Sequence, residues 1–321
     1  MKKIAVFTSG GDSPGMNACI RSVVRTGIYN SLEVVGILRG YNGMVEGDFK
    51  SLKATSVANI VQKGGTILKT ARSESFRTVE GRKKAYENLK KEGVEGLVCI
   101  GGDGSFTGAK IFFEEYGIPC IGAPGTIDND LYGTDYTIGF DTAINTAVEA
   151  IDKIRDTAES HDRVFFVEVM GRHSGAIALE VGLAGGAEAI LLPEVSGEIE
   201  RLKTIFRQRR RKKSFSIIVV AEGDEQGGAY QIAEALQKEF PKISPRVTIL
   251  GHIQRGGNPT AADRVLATRL GAACVDALLK GETNKMAGLV NNKVVLTSFD
   301  DAINKTKPLP DTVKLLEALN T

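Results

Sequence analysis

The sequence predicts an α/β protein with largely parallel sheets, and three observations carry that prediction. Compact apolar runs, such as residues 4–8, 94–100 and 118–123, each stop at a polar loop rich in glycine. Most of these loops lead into a stretch with apolar residues at helical spacing, the alternation that builds sheets covered on both faces. The runs ending at 8, 100, 123, 170, 221 and 250 all behave this way. In open parallel sheets ligands bind at the carboxyl ends of strands, so one composite cleft accounts for all six loops.

Length and composition set the frame. A chain of 321 residues points to about two domains, and 42% hydrophobic with 25% charged residues is ordinary for a globular protein. With 41 basic and 39 acidic side chains the net charge is +2, so the chain has no global field for nucleic acid and any anion site must be local. Cys19, Cys99, Cys120 and Cys274 are scattered, with no CxxC pair and no nearby His, which reads as buried reduced thiols. The first residues lack a long apolar stretch, and no window reaches the roughly 20 apolar residues of a membrane span. The expectation is a cytoplasmic enzyme or binding protein with neither a membrane nor a nucleic acid as partner.

Residues 4–8 break into Ser9-Gly10-Gly11-Asp12-Ser13-Pro14-Gly15, followed by a helical pattern with Ala18, Val23 and Val24 and with Arg21 and Arg25 on one face. Bare backbone at a helix start admits phosphate to its N–H groups. The loop is neither GxGxxG nor GxxxxGK[ST], so a plain tight turn is its other reading. Residues 34–38 form the next strand and Gly40-Tyr41-Asn42-Gly43 a turn, where Tyr41 either stacks on a base or covers a domain edge. Arg72, Ser73 and Arg77 lie in a polar segment after Gly64-Gly65-Thr66 and read as phosphate contacts or as surface residues. Residues 80–92 are a charged helix with Ala85 and Leu89 inward.

The run 94–100 ends in Gly101-Gly102-Asp103-Gly104-Ser105 and a helix with Phe106, Ala109, Ile111, Phe112 and Phe113. Ser105 is suited to cap that helix, the glycines to admit oxygen ligands and Asp103 to hold a hard cation. Next, 118–123 leads to Pro124-Gly125-Thr126-Ile127-Asp128-Asn129-Asp130. If extended, this segment puts Asp128 and Asp130 on one side with Thr126 beside them. That arrangement suits proton transfer or magnesium binding, and a capping loop is the alternative.

Asp141 is placed to cap a helix whose positions Ile144, Val148, Ile151 and Ile154 repeat at helical spacing. Strand 164–170 then runs into Gly171-Arg172-His173-Ser174-Gly175, and 187–192 is a further strand. The amphipathic helix 199–213 ends in the basic run 207–213, which lacks interleaved aromatics and reads as a solvated helix end with one or two anion contacts. Strand 217–221 ends at Glu222. Residues 248–250 precede Gly251-His252-Ile253-Gln254-Arg255-Gly256-Gly257, where His252 and Arg255 read as anion ligands against the alternative of a structural histidine. A strand pair over 289–297 and a helix over 312–319 close the chain.

Taken together, residues 8–17, 101–105, 124–130, Met170-Gly171-Arg172 and 251–257 resemble the ATP-dependent 6-phosphofructokinase family of bacteria, in its short form, from residue 4 to residue 275. The resemblance implies two Rossmann-like three-layer α/β domains with the active site in the cleft between them. One domain, 1–138 plus 252–304, would hold ATP, and the other, 139–251 plus 305–321, fructose 6-phosphate. The implied reaction is the ATP-dependent phosphorylation of fructose 6-phosphate to fructose 1,6-bisphosphate, the committed step of glycolysis, in a homotetramer. Nucleotide contacts fall on Gly11, Tyr41, Arg72, Ser73, Arg77, Gly102, Asp103, Gly104 and Ser105, with Mg2+ on Asp103. Asp128 is implied as the base, Thr126 as a phosphate ligand, Asp130 as a second carboxylate near the metal and Arg172 as the stabiliser of transition-state charge.

For the sugar phosphate the resemblance implies Thr126, Ile127, Asp128, Met170, Gly171, Arg172, Glu222, His252, Ile253, Gln254 and Arg255, with Arg163 and Arg246 contributed by a neighbouring subunit. ADP or phosphoenolpyruvate is implied as effector at Arg21, Arg25, Arg155, Gly186, Ala187, Glu188, Arg211 and Lys213. The chain departs from some regulated relatives at Ala54, where they place an Arg. Losing one charge-assisted contact weakens an anion by about 1.5 to 3 kcal/mol, so an altered effector response is expected. Pyrophosphate-using relatives carry Asp at the position of Gly104 and Lys at that of Gly125, so two glycines favour ATP. The GGDG element alone also occurs in lipid and NAD kinases, which lack the 124–130 and 251–257 loops. A catalytically inactive regulatory paralogue would be expected to lose Asp103, Asp128 or Arg172, and all three are present.

Overall fold

In the first strand, β1 (Lys3–Thr8), Ile4 and Val6 enter one hydrophobic core while Ala5 and Phe7 enter another. A strand buried on both faces reads as a continuous apolar run, which is why the sequence signal is so clear. The computed structural model describes residues 1–160, 163–208, 216–223, 227–310, 312 and 315. The chain continues through α1 (Met16–Tyr29), β2 (Glu33–Ile37), α2 (Gly40–Glu46), β3 (Phe49–Leu52), α3 (Val79–Glu92), β4 (Gly96–Gly101), α4 (Asp103–Tyr116), β5 (Cys120–Pro124) and α5 (Phe140–Glu159). Then come β6 (Val164–Val169), α6 (Ala176–Ala184), β7 (Ala189–Leu191), α7 (Glu198–Gln208), β8 (Ser216–Ala221), α8 (Ala229–Glu239) and β9 (Pro245–Ile249). Last are α9 (Ala261–Leu279), β10 (Lys285–Val290), β11 (Lys293–Ser298) and α10 (Phe299–Asn304).

Two compact units result. The first comprises Met1–Ile127, Leu131–Thr142 and Arg255–Lys307, and the second Asp128–Asp130, Ala143–Gln254 and the tail from Pro308. The first unit is built on a seven-stranded sheet in the order β11-β10-β5-β4-β1-β2-β3, parallel except for the pairs β2–β3 and β10–β11. α1 and α9 cover one face, with Cys19, Val23, Leu270 and Cys274 packed on Val6, Val98 and Ile121. Phe76, Leu89, Phe106, Phe112 and Phe299 cover the other. The second unit carries a parallel four-stranded sheet, β7-β8-β6-β9. Leu202 of α7 and Ile232 and Leu236 of α8 pack on Phe166, Ile218 and Val220.

Three local expectations change. Residues 40–43 open the helix α2 rather than forming a turn, because Tyr41, Met44 and Val45 are buried together and core packing outweighs the low helix propensity of two glycines. Ser105 is not the cap of α4: that helix starts at Asp103 with Gly102 as N-cap, so Ser105 lies in the first turn. Asp141 likewise sits inside the first turn of α5, not before it. The carboxylate of Asp263 takes over the capping, accepting from the amides of Gly139 and Thr142, each at 2.8 Å. The basic run after Gln208, including Arg211 and Lys213, and most of the expected helix 312–319 lie outside the described residues.

All four cysteines are free and buried, and burial pushes the Cys19 and Cys120 thiols up to about 12. They are therefore protonated and poor nucleophiles at neutral pH. Among the described residues no helix is long and apolar enough to cross a membrane.

Candidate active site

In the first unit β5, β4 and β1 are neighbours and parallel, so the loops 9–15, 102–105 and 125–127 leave the same end of the sheet. The amide of Ser9 donates to Ile100 O at 3.0 Å and that of Gly125 to Gly101 O at 2.9 Å, tying all three loops to the central strand. Asp103, exposed, is the first residue of α4, where the helix dipole favours anionic groups. A Cβ at Gly104 would meet no atom within 4 Å, whereas one at Gly125 would lie 2.9 Å from Ile100 and 3.2 Å from Met16. One glycine is open and the other is closed.

Tyr41 is only 8% exposed. Its ring stacks on Phe76 at 4.1 Å and meets Phe7 edge-on at 5.0 Å, while its hydroxyl donates to the carbonyl of Ser105 at 2.5 Å. Of the two readings of Tyr41, this geometry is core packing that carries the 102–105 loop on its hydroxyl. Burial pushes that hydroxyl well above its ordinary value, keeping it a donor.

Arg72 and Arg77 are exposed, Arg77 lying 3.7 Å from Glu74, and Ser73 Oγ accepts from the Phe76 amide at 3.3 Å. Arg82 carries no signal of its own in the charged helix 80–92. It is 9% exposed, donates twice to Glu115 at 2.6 Å, and reaches the carbonyls of Phe76 at 3.2 Å and Arg77 at 2.7 Å. The Arg82 guanidinium holds the Glu115 carboxyl below its ordinary range. Arg82 thus ties the segment carrying Arg72, Ser73 and Arg77 to α4, and no spacing pattern announces it. Arg255 also belongs to the first unit. Its Nη1 donates to Asp12 O at 3.3 Å, and a Cβ at Gly11 would lie 3.0 Å from its guanidinium carbon.

In the second unit, β6 and β8 end level, with Val169 paired to Ala221, which brings the 170–172 loop beside Glu222. Arg172 Nε lies 4.0 Å from Asp128 Oδ2, with side-chain exposures of 54% and 4%. Gly171 has φ +147 and Arg172 φ +54, the left-handed region that side chains rarely adopt. Glu222 Oε1 accepts from the amides of Gly171 at 3.3 Å and Arg172 at 2.8 Å, and Gln254 Oε1 accepts from Met170 at 2.8 Å. His252 and Ile253 are exposed, whereas Gln254 is fully buried. Thr126 and Asp130 are half-buried, and Ile127 is buried.

Arg163 and Arg246 stand apart from this group. Val164 pairs with Pro245 and Phe165 with Arg246, which puts both arginines at the amino ends of their strands. Met170 and Glu222 follow the carboxyl ends, about 20 Å away along a six-residue strand.

Of the implied effector residues, Arg21 and Arg25 lie one turn apart on α1, half-buried and exposed. Arg155 donates to the carbonyls of Gly185 and Gly186, and Glu188 Oε2 accepts from the Ile217 amide at 2.5 Å. Ala187 is half-buried between them, and Ala54 is exposed at the start of a short 3-10 helix.

Glycine loops at the ends of three adjacent parallel strands, a carboxylate opening a helix and a buried Asp facing an Arg together define an α/β protein built to handle phosphate groups. The chain belongs to the phosphofructokinase family, whose profile, "Phosphofructokinase", matches residues 3–278. It is 58% identical to an ATP-dependent 6-phosphofructokinase of Cytophaga hutchinsonii, with 100% of this chain and 98% of the relative aligned. It is 59% identical to ATP-dependent 6-phosphofructokinase 1 of Thermus thermophilus, over 96% of each. Among solved structures, phosphofructokinase from Saccharomyces cerevisiae superposes with a TM-score of 0.89 at 38% identity, covering 100% of this chain and 47% of the yeast chain.

Proposed function

We propose that this chain transfers the γ-phosphoryl group of ATP to fructose 6-phosphate, giving fructose 1,6-bisphosphate and ADP. The observation that carries the chemistry is the buried Asp128 carboxylate 4.0 Å from the half-exposed Arg172. The names of the two bacterial relatives supply donor and acceptor.

Asp128 accepts the proton of the attacking sugar hydroxyl as its oxygen bonds to the γ-phosphorus and the bond to the ADP oxygen breaks. Arg172 stabilises the charge on the transferring group, and Thr126 holds that group. Phosphoryl transfer of this kind needs positioning and electrostatics more than covalent help. Gly11, Gly102, Gly104 and Ser105 present backbone to the phosphates, with Arg72, Ser73 and Arg77 beside them. Tyr41 carries their loop from below.

Among the described residues no group of three or more His, Cys, Asp or Glu could hold a metal ion alone. Magnesium binds through one or two carboxylates together with the substrate phosphates, and Asp103 is the carboxylate we assign to it. Bound there, the ion would neutralise phosphate charge. Asp130 is the second carboxylate in this reading.

Met170, Gly171, Glu222, His252 and Ile253 are assigned to the sugar, and Gln254 and Arg255 complete that loop. The placement of Arg163 and Arg246 at the far strand ends supports their serving a neighbouring subunit's sugar phosphate, which would make the working enzyme an oligomer, in our reading a homotetramer in the cytoplasm. ADP or phosphoenolpyruvate would bind through Arg21, Arg25, Arg155 and residues 186–188.

The test is ADP release with ATP and magnesium that depends on fructose 6-phosphate. Turnover with pyrophosphate equal to or better than with ATP would overturn the donor assignment, and no sugar-dependent turnover with either would make the chain an inactive paralogue.

A further inference from the structure

The 170–172 loop presents three successive backbone amides, and each is taken by a side chain from a distant part of the chain. Gln254, fully buried, accepts from Met170. A single oxygen of Glu222 accepts from both Gly171 and Arg172. Successive N–H groups in a turn of this kind form a concavity that attracts an anion, and here the anion is internal. The loop also holds Arg172 at φ +54, a backbone conformation that persists only where its surroundings impose it. Behind it the fit is close, because a Cβ at Gly223 would lie 2.9 Å from the carbonyl carbon of Arg172 and 3.3 Å from His173 Cα. The residue so constrained is the one whose guanidinium faces Asp128.

We propose that Glu222, assisted by Gln254, is a positioning residue that aims Arg172 at Asp128 by holding the amides of the 170–172 loop. This role goes beyond sugar binding and rests on the phosphoryl-transfer reading above. Oε1 fixes the turn, and the turn sets where the arginine side chain starts. A carboxamide retains an acceptor oxygen at that place, whereas alanine does not. The two roles of Glu222 therefore separate by substitution.

The experiment compares Glu222→Ala, Glu222→Gln, Arg172→Ala and the double variant Glu222→Ala/Arg172→Ala in steady-state kinetics with ATP and fructose 6-phosphate. Hydrogen exchange of the 169–173 segment is measured in parallel, without substrates. Glu222→Ala is expected to lower kcat by roughly 30-fold or more, while Glu222→Gln keeps kcat within about 5-fold and shows its loss in KM for the sugar. In the Arg172→Ala background, removing Glu222 is expected to change kcat by less than about 3-fold, because residues acting through one another are non-additive. Exchange should quicken by roughly 10-fold or more in Glu222→Ala and stay near wild type in Glu222→Gln.

Equal kcat in the Ala and Gln variants, full additivity with Arg172→Ala, or unchanged exchange in Glu222→Ala overturns the proposal. If Glu222→Ala does not fold, Glu222→Gln decides alone: a collapse of kcat with sugar KM unchanged overturns it, and the opposite split supports it. If the wild-type protein shows no sugar-dependent ADP release, the functional reading falls, and exchange judges the clamp by itself.

Discussion

The loops after β4 and β6 both end apolar parallel strands, yet they are built in opposite ways. At Asp103 and Gly104 the backbone is left open: a Cβ at Gly104 would touch nothing within 4 Å, and Asp103 is exposed. At 170–172 the backbone is closed, its amides held by Glu222 and Gln254 and its turn backed by Gly223. An open loop offers its own N–H groups to a ligand and tolerates exchange of the ligand. The closed loop spends those groups internally and offers a side chain in a fixed place. Binding suits the first design and stabilisation of a transient charge suits the second.

The largest effect expected from this contrast is on the closed side. Asp128→Ala should lower kcat by roughly 10²- to 10⁴-fold while KM for ATP barely moves, as expected for a general base. A kcat that hardly changes would remove Asp128 from the chemistry.

Next is Gly125→Lys, which separates two glycines that look alike in sequence. Its Cβ would press on Ile100 and Met16, so overpacking should cost about 1–3 kcal/mol in urea unfolding. A neutral result would mean the neighbourhood of β5 yields more easily than its packing implies.

A comparable loss is expected for Asp263→Asn, which asks whether a closed, side-chain-held backbone also supports the first unit. The Asp263 carboxylate takes the amides of Gly139 and Thr142 and, at 2.5 Å, the Thr142 hydroxyl. The amide variant sets an NH2 against donors, at a cost of about 1–3 kcal/mol. Burial raises the Asp263 carboxyl above its ordinary 3.8. The folded state therefore holds that proton to higher pH than the unfolded chain does. This group's contribution makes stability fall as pH rises from 3.8 through the raised value, and the slope should be missing in Asp263→Asn.

The smallest structural effect belongs to Gly104→Asp. Its unfolding free energy should stay within about 0.5 kcal/mol of wild type, since the site is open. KM for ATP should nevertheless rise, and an unchanged KM would mean that the open space is not the nucleotide's.

Much of the site could be read from local sequence, because bare-backbone phosphate loops need glycine and small polar residues in one short run. The loops at 9–15, 101–105 and 124–130 announce themselves that way. The supports do not. Arg82 meets Glu115 across 33 positions, Glu222 meets Arg172 across 50, Gln254 meets Met170 across 84 and Thr142 meets Asp263 across 121. Tyr41 shows the same limit, since its sequence context allowed a stacking role or a covering one. The ring packing on Phe76 and the bond to Ser105 bring together helical segments far apart in the chain.

By itself the sequence determined the alternation of strand, glycine loop and helix, the two apolar faces of the central strands and the family. Each of these rests on the period and composition of a short segment, which neighbours in sequence decide. Only the tertiary structure decided which distant carboxylate fills which loop, which glycine is open, and that Arg163 and Arg246 stand at the amino ends of β6 and β9, at the opposite end of β6 from Met170. Those facts depend on the register between strands, and register is a property of the packed sheet rather than of any one strand.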